Sequence, residues 1–211
     1  MQTIEHNEPA ISVVGINGSL RDGSYTRLAL NLALQGAEEV GAQTQLIDLR
    51  EYDLIFCNGK LGKDAPPDVL RLRQDVKQAQ GIILGTPEYH GSFSGVLKNA
   101  LDLMGFAEFE GKMIGLLSVS GGEMGGLNGL NSLRAIGRTL HAWVIPEEVS
   151  IPRAYKKFDD RGKVLDDTLR ERILELGRQV ARFAYLHTSK QTNEFLELWE
   201  EAPVNPGAEN R

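Results

Sequence analysis

Five apolar runs, each followed by a segment with helical periodicity, limit the fold of this sequence more than any other feature. The runs cover residues 11–16, 44–49, 81–85, 113–119 and 143–151. They are mainly apolar rather than alternating, which is typical of strands buried on both faces of a parallel sheet. Helices are predicted over residues 26–40, 68–79, 94–104, 130–140 and 165–185. This alternation predicts an α/β fold with helices on both faces of the sheet.

Five parallel strands suit a flavodoxin-like doubly wound sheet with the order 2-1-3-4-5, and a six-stranded Rossmann fold is the alternative. We expect one domain over residues 11–187, after a flexible lead-in over residues 1–10. Residues 188–211 form an acidic extension with five acidic and two basic residues. Within it, Asn193 is expected to cap a short helix that carries an apolar cluster at 195–199 and docks on a neighbouring subunit.

Charge and cysteine content narrow the class of protein. The net charge of −6 argues against nucleic-acid or anionic-membrane binding. The start of the chain is acidic, and no apolar run is long enough to span a bilayer, so we expect a cytoplasmic protein. Cys57 is the only cysteine, and residue 63 is Lys, so a Cys-x₅-Arg phosphatase loop is absent. The four histidines lack the spacing of metal ligands.

The loop after the first strand has the composition of a phosphate site. Three hydroxyl residues, Ser19, Ser24 and Thr26, surround Arg21 just before a predicted helix N-terminus. Free N–H groups and the helix dipole favour an anion there. The alternative is an ordinary group of N-capping hydroxyls beside a solvated arginine. The dinucleotide G-x-G-x-x-G and the P-loop G-x-x-x-x-G-K-[ST] are both absent.

The loops after the third and fourth strands should lie at the same edge of the sheet. Residues 85–95 offer a flat Tyr89 ring, and they end at a helix that Ser94 could simply cap. Glu88 and His90 could form an acid/base pair, although a single histidine is more often structural. Residues 118–127 are rich in glycine, which suits either a ligand that contacts the backbone or a merely flexible loop.

These motifs, in this order, resemble the NADPH-dependent FMN reductase family of flavodoxin-like quinone, azo and chromate reductases. The resemblance covers about residues 11–186, and it is most specific over residues 18–24, 86–92 and 96–102. It implies non-covalent FMN, with NADPH or NADH as reductant and small-molecule electron acceptors as partners. It also implies a homodimer or homotetramer.

The resemblance further implies which residues bind FMN. Those around its phosphate would be Ser19, Arg21, Ser24 and Thr26. Those along one edge of its ring system would be Pro87, Glu88, Tyr89, His90 and Gly91, and those along another edge Ser120, Gly121 and Gly122. Two positions depart from the family pattern, because the family commonly has Asn in place of His90 and Pro in place of Ser94. Protonation of His90 near neutral pH is expected to tune the flavin.

The expected activity is hydride transfer from NADPH through FMN to quinones, flavins, azo compounds or metal oxyanions by a ping-pong mechanism. The flavin itself does the chemistry, so no catalytic side chain is needed. A flavodoxin-type electron carrier without nicotinamide turnover is the main alternative. A redox sensor that uses the acidic extension is a third hypothesis.

Overall fold

The computed structural model describes residues 10–59, 62 and 64–201. Its strands are β1 (Ser12–Asn17), β2 (Gln43–Asp48), β3 (Gly81–Tyr89), β4 (Ser92–Phe93), β5 (Met113–Val119) and β6 (Trp143–Ile151). Its α-helices are α1 (Tyr25–Glu38), α2 (Pro67–Gln78), α3 (Gly95–Asp102), α4 (Phe106–Phe109), α5 (Leu127–Thr139), α6 (Asp167–Thr188) and α7 (Lys190–Glu201). Short 3₁₀ turns follow β2 and β6.

The sheet confirms the predicted α/β fold class. Its parallel strands have the order β2-β1-β3-β5-β6, which is 2-1-3-4-5 when only the parallel strands are counted. The sheet has one strand more than the five predicted. This additional strand, β4, pairs with the end of β3 in an antiparallel hairpin. A strand of two residues has no periodicity from which to predict it.

Two apolar layers enclose the sheet. Buried side chains of α1 and α6 pack on one face, and those of α2, α3 and α5 pack on the other. The first two helices touch through their backbones, since a Cβ on Gly36 would overlap the carbonyl of Leu174, and one on Gly177 would overlap that of Ala33. This close crossing fixes the position of α1, whose N-terminus opens the loop predicted to bind phosphate.

Several element boundaries differ from those predicted. Strand β3 continues to Tyr89 instead of ending at Gly85, and α5 begins at Leu127 rather than at residue 130. Pro87 therefore lies inside a strand. It is tolerated because β1 pairs only as far as Gly85, so the sheet is narrower beyond that point.

The acidic extension begins as a helix, but Asn193 does not cap it. Helix α7 starts at Lys190, and the Oγ of the buried Ser189 accepts a hydrogen bond of 3.2 Å from the Thr192 amide. The predicted cap was wrong because α6 ends only at Thr188, so a single residue separates the two helices. Phe195 and Leu198 are largely exposed on α7. Residues 1–9 of the lead-in predicted over residues 1–10, and residues 202–211 of the extension, lie outside the described residues.

None of the helices in the described part of the chain combines the length and the apolar character that crossing a bilayer requires.

Candidate functional site

The loop after β1 lies at the point where the strand order of the sheet reverses, between β1 and β3. The chain leaves β1 and β3, which are neighbours, toward opposite faces of the sheet, and ligands of such sheets bind in the crevice between the strand ends. The amide of Gly18 donates to the carbonyl of Gly85 at 2.8 Å. Its own carbonyl accepts from the Ser94 hydroxyl at 2.6 Å. Ser94 also caps α3, because its Oγ accepts from the Leu97 amide at 3.1 Å.

A buried polar network shapes the start of this loop. The Asn17 side chain donates to the Ser19 carbonyl and to Asp48 Oδ1, both at 3.1 Å, and accepts from the Ser19 amide at 3.3 Å. Asp48 in turn binds the Arg50 guanidinium, with Nη2 to Oδ2 at 2.7 Å. Burial alone would raise the pKa of Asp48, but hydrogen bonds from Arg50 and Asn17 outweigh it, so the pKa lies below its ordinary value. Asp48 therefore stays ionised and holds Asn17 in place.

The N-terminus of α1 offers unused hydrogen-bond donors. Ser24 caps the helix by accepting from the Arg27 amide at 3.3 Å, and its carbonyl accepts from the Leu28 amide. Within the described chain, the amides of Tyr25 and Thr26 have no acceptor. This turn is therefore ready to bind an anion.

Arg21 is the cation best placed to assist. The other two arginines near the loop are neutralised, since Arg27 lies 3.9 Å from Asp48 and Arg50 pairs with both Asp48 and Asp22. Arg21 is exposed and forms no ion pair with any described residue. Its guanidinium is free to bind a phosphate through a charge-assisted hydrogen bond.

The loop after β3 is a two-residue hairpin rather than an open turn. His90 and Gly91 both have positive φ, +52° and +77°, as a type I′ turn requires. Asn and Gly adopt positive φ most readily. The replacement of the family's usual Asn by His90 therefore affects the backbone conformation of the turn as well as the side chain. The Glu88 carboxylate is engaged elsewhere than with His90, because its Oε2 accepts from the Gly129 amide in the first turn of α5 at 3.1 Å.

The loop after β5 has two kinds of glycine. A Cβ on Gly125 would overlap the Ser150 hydroxyl, and one on Gly126 would overlap that of Ser118, so packing and positive φ explain this pair. A Cβ on Gly121 would meet no protein atom. Space for a ligand is therefore left only at the first half of the loop.

These loops enclose a cavity of about 400 Å³. Nine of the twelve residues predicted to bind a cofactor line it: Ser19, Arg21, Ser24, Thr26, Pro87, Glu88, Tyr89, Ser120 and Gly121. The other three, His90, Gly91 and Gly122, do not line it. The arrangement can hold an anionic group at α1 and a flat group between the loops after β3 and β5.

Sequence reasoning missed five lining residues: Gly23, Tyr25, Val119, Ala154 and Tyr155. The last two follow β6, which the prediction had left out of the site. Backbone hydrogen bonds from Ala154 to Ser120 and from Arg153 to Gly122 join this segment to the loop after β5. The signal was present, since the carboxyl end of β6 must lie at the same edge as the other parallel strands.

Among the described residues there is no group of three or more histidine, cysteine or acidic side chains that could hold a metal ion.

Comparisons with known proteins show what the chain is similar to. The family profile described as NADPH-dependent FMN reductase matches residues 11–156. An NAD(P)H-dependent FMN reductase of Pseudomonas aeruginosa is 36% identical over 168 residues, which cover 77% of this chain and 89% of the relative. An NADPH azoreductase of a Bacillus species is 33% identical over 166 residues, which cover 79% of this chain and 90% of the relative.

Among solved structures, a flavoenzyme NAD(P)H:acceptor oxidoreductase from Paracoccus denitrificans superposes with a TM-score of 0.72. The match covers 84% of this chain and 99% of that one, at 23% sequence identity, so it supports the fold alone.

Proposed function

Because the chain belongs to the NADPH-dependent FMN reductase family, we propose that it passes reducing equivalents from NADPH to small acceptors in two half-reactions at one site. The protein is an FMN-dependent NAD(P)H oxidoreductase. In the proposed ping-pong cycle, NADP⁺ leaves before the acceptor enters. Quinones, free flavins, azo compounds and metal oxyanions are the proposed acceptors.

One observation carries the assignment of the site: the cavity joins an anion-binding helix end to a flat space bounded by glycine. The free amides of Tyr25 and Thr26 and the unpaired Arg21 fit the FMN phosphate. A Cβ at Gly23 or Gly121 would meet no protein atom. Because these positions carry no side chain, a ligand can approach the backbone closely there. The residues present therefore fit FMN.

When bound, FMN supplies the redox chemistry, accepting a hydride from the nicotinamide and passing it on to the acceptor. The side chains Ser19, Arg21, Ser24 and Thr26 would orient its phosphate. Pro87, Glu88 and Tyr89 on one side and Ser120 and Gly121 on the other line the cavity and would border its ring system. The backbone amides of these residues, apart from Pro87, which has none, would favour the negative charge that develops there.

An anaerobic titration tests this proposal. The purified protein, loaded with FMN, is mixed with NADPH in the absence of oxygen, and the flavin absorbance near 450 nm is followed. Rapid bleaching, restored by a quinone after NADP⁺ is removed, supports the two half-reactions. A flavin that NADPH leaves oxidised would show that the chain is an electron carrier rather than a reductase.

We also propose a homodimer or homotetramer in which α7 docks on a neighbouring subunit. Phe195 and Leu198 support this, since they are 63% and 70% exposed on an amphipathic helix that the other described residues do not cover. Deleting residues 190–211 should then lower the mass measured by light scattering on dilution, without loss of FMN. A cytoplasmic location is part of the proposal, because Cys57 has no second cysteine with which to pair.

A further inference from the structure

A second cavity, of about 480 Å³, adjoins the first. Its walls are mainly apolar and aromatic: Leu20, Tyr52, Leu54, Phe56, Tyr89 and Val96. Tyr89 lines both cavities, and Leu20 lies between Ser19 and Arg21 of the phosphate loop. A ligand in the second cavity would therefore be a direct neighbour of a ligand in the first.

The walls of this cavity are held in place by hydrogen bonds that two of its lining residues, Asn99 and Tyr52, form with the rest of the chain. The Asn99 side chain binds the segment that carries Phe56 on both sides, accepting from the Cys57 amide and donating to the Ile55 carbonyl, each at 2.9 Å. Tyr52 is fixed by a hydrogen bond of 2.9 Å from its hydroxyl to an Asp75 carboxylate oxygen. The cavity thus exists before any ligand enters.

Phe56 is the exception to ordinary packing here. It is 87% exposed, although the backbone on both sides is anchored. An anchored aromatic ring that contacts little of its own chain contributes little to folding, and it is well suited to contact a ligand.

We propose that this second cavity binds the planar aromatic part of the electron acceptor, and that the acceptors bound there are neutral quinones and azo compounds. The proposal rests on the proposed function, since it needs a flavin in the first cavity. The volume falls within the range of small-molecule sites, about 300–1,000 Å³. Among the described residues on the walls, Asp53 alone is formally charged, and its carboxylate disfavours an anionic acceptor.

The chemistry of the acceptor balances without any further reactant. A quinone takes up two electrons and two protons to give the hydroquinone. One hydride, which originates from NADPH, supplies both electrons and one proton, and solvent supplies the second proton. An azo bond is reduced to the hydrazo compound in the same way, with NADP⁺ as the oxidised product in both cases.

The test compares Phe56→Ala with wild type, both loaded with FMN, using two acceptors. The first is 1,4-naphthoquinone, and the second is ferricyanide, a small anion that needs no apolar cavity. Loss of an aromatic contact should reduce the ratio of kcat/KM for naphthoquinone to that for ferricyanide about tenfold. Phe106→Ala is the matched control, because this ring is 53% exposed at the other end of the sheet, where it stacks on His141; its ratio should not change.

A second readout does not depend on turnover. Binding of 2-naphthol, an aromatic ligand that the flavin does not reduce, is measured by calorimetry on the FMN-loaded protein. Its Kd should rise about tenfold in Phe56→Ala and stay constant in Phe106→Ala.

Two results would overturn the proposal: an unchanged ratio and Kd in Phe56→Ala, or dissociation of the oligomer in that variant with both acceptors affected alike. The latter would identify the ring as a contact with a second copy. Failure of the proposed function is distinguishable, because wild-type protein would then reduce neither acceptor with NADPH while naphthol binding could still respond to Phe56.

Discussion

Replacing Ser94 with alanine tests whether the phosphate loop and the hairpin after β3 form one unit. The hydroxyl makes two buried hydrogen bonds: it donates to the Gly18 carbonyl at 2.6 Å and accepts from the Leu97 amide at 3.1 Å. Alanine removes both and leaves the Gly18 carbonyl without this donor. The Ser94 amide keeps its own bond to Thr86 Oγ1, so the effect belongs to the hydroxyl.

The magnitude follows from these two contacts. Loss of a serine N-cap costs about 1 kcal/mol, and a buried carbonyl without its partner costs about 1–3 kcal/mol. The free energy of unfolding should therefore fall by about 2–4 kcal/mol. In a chain of this length each kcal/mol lowers Tm by about 2–4 °C, so the expected decrease is roughly 5–15 °C.

Urea unfolding with and without FMN measures both parts of the effect. If the released loop binds FMN about tenfold more weakly, the stabilisation by a fixed excess of FMN should shrink by about 1.4 kcal/mol. Ser132→Ala is the control, since its exposed hydroxyl bonds only to the Asn128 carbonyl within α5. A Ser94→Ala protein that unfolds like this control, with the same response to FMN, would refute the reasoning.

Three further predictions concern separate parts of the chain. Arg21→Ala should weaken FMN binding roughly 10- to 150-fold through loss of a charge-assisted contact of about 1.5–3 kcal/mol. In fluorescence titrations riboflavin, which lacks the phosphate, should bind as before, and equal losses of affinity for both ligands would contradict the phosphate role of Arg21. His90→Asn should keep activity and should not lower Tm, because Asn adopts the positive φ of this position more readily than His; a lower Tm in thermal unfolding would contradict this reasoning. Burial lowers the pKa of Lys112 to about 8, so the unfolded chain holds this proton more tightly and the free energy of unfolding should rise between about pH 8 and 10. In urea unfolding this rise should be smaller in Lys112→Met, and an equal rise would exclude this cause.

The inner parallel strands β1, β3 and β5 could be predicted because burial on both faces leaves a continuous apolar signal, and the edge strands β2 and β6 keep enough of this signal although they are partly exposed. The bounds of β5 and β6 agree with the prediction at both ends. The contacts that shape the site could not be predicted in this way, because they join residues distant in sequence. Ser94 meets Gly18 across 76 positions, and Glu88 meets Gly129 across 41. From the sequence, Ser94 could be an ordinary N-cap and Glu88 a partner of the nearby His90. Their distant hydrogen-bond partners are determined by the fold.

Tyr155 shows a second limit of sequence reasoning. It follows β6 in a polar segment, residues 152–163, that has no glycine cluster and no serine or threonine. It reaches the cavity because backbone hydrogen bonds join this segment to the loop after β5. Its place in the site depends on the pairing of β5 with β6, which fixes where the two loops meet.

The two kinds of glycine after β5 divide this loop into a part that tolerates substitution and a part that does not. A Cβ at Gly121 would meet no protein atom within 4 Å, so a side chain introduced there would enter the ligand space first. Side chains at Gly125 or Gly126 would collide with the Ser150 or Ser118 hydroxyl and would also oppose a positive φ. A library randomised at residues 121–124 should therefore yield many folded variants with altered ligand preference, whereas one randomised at 125 and 126 should yield mostly unfolded protein.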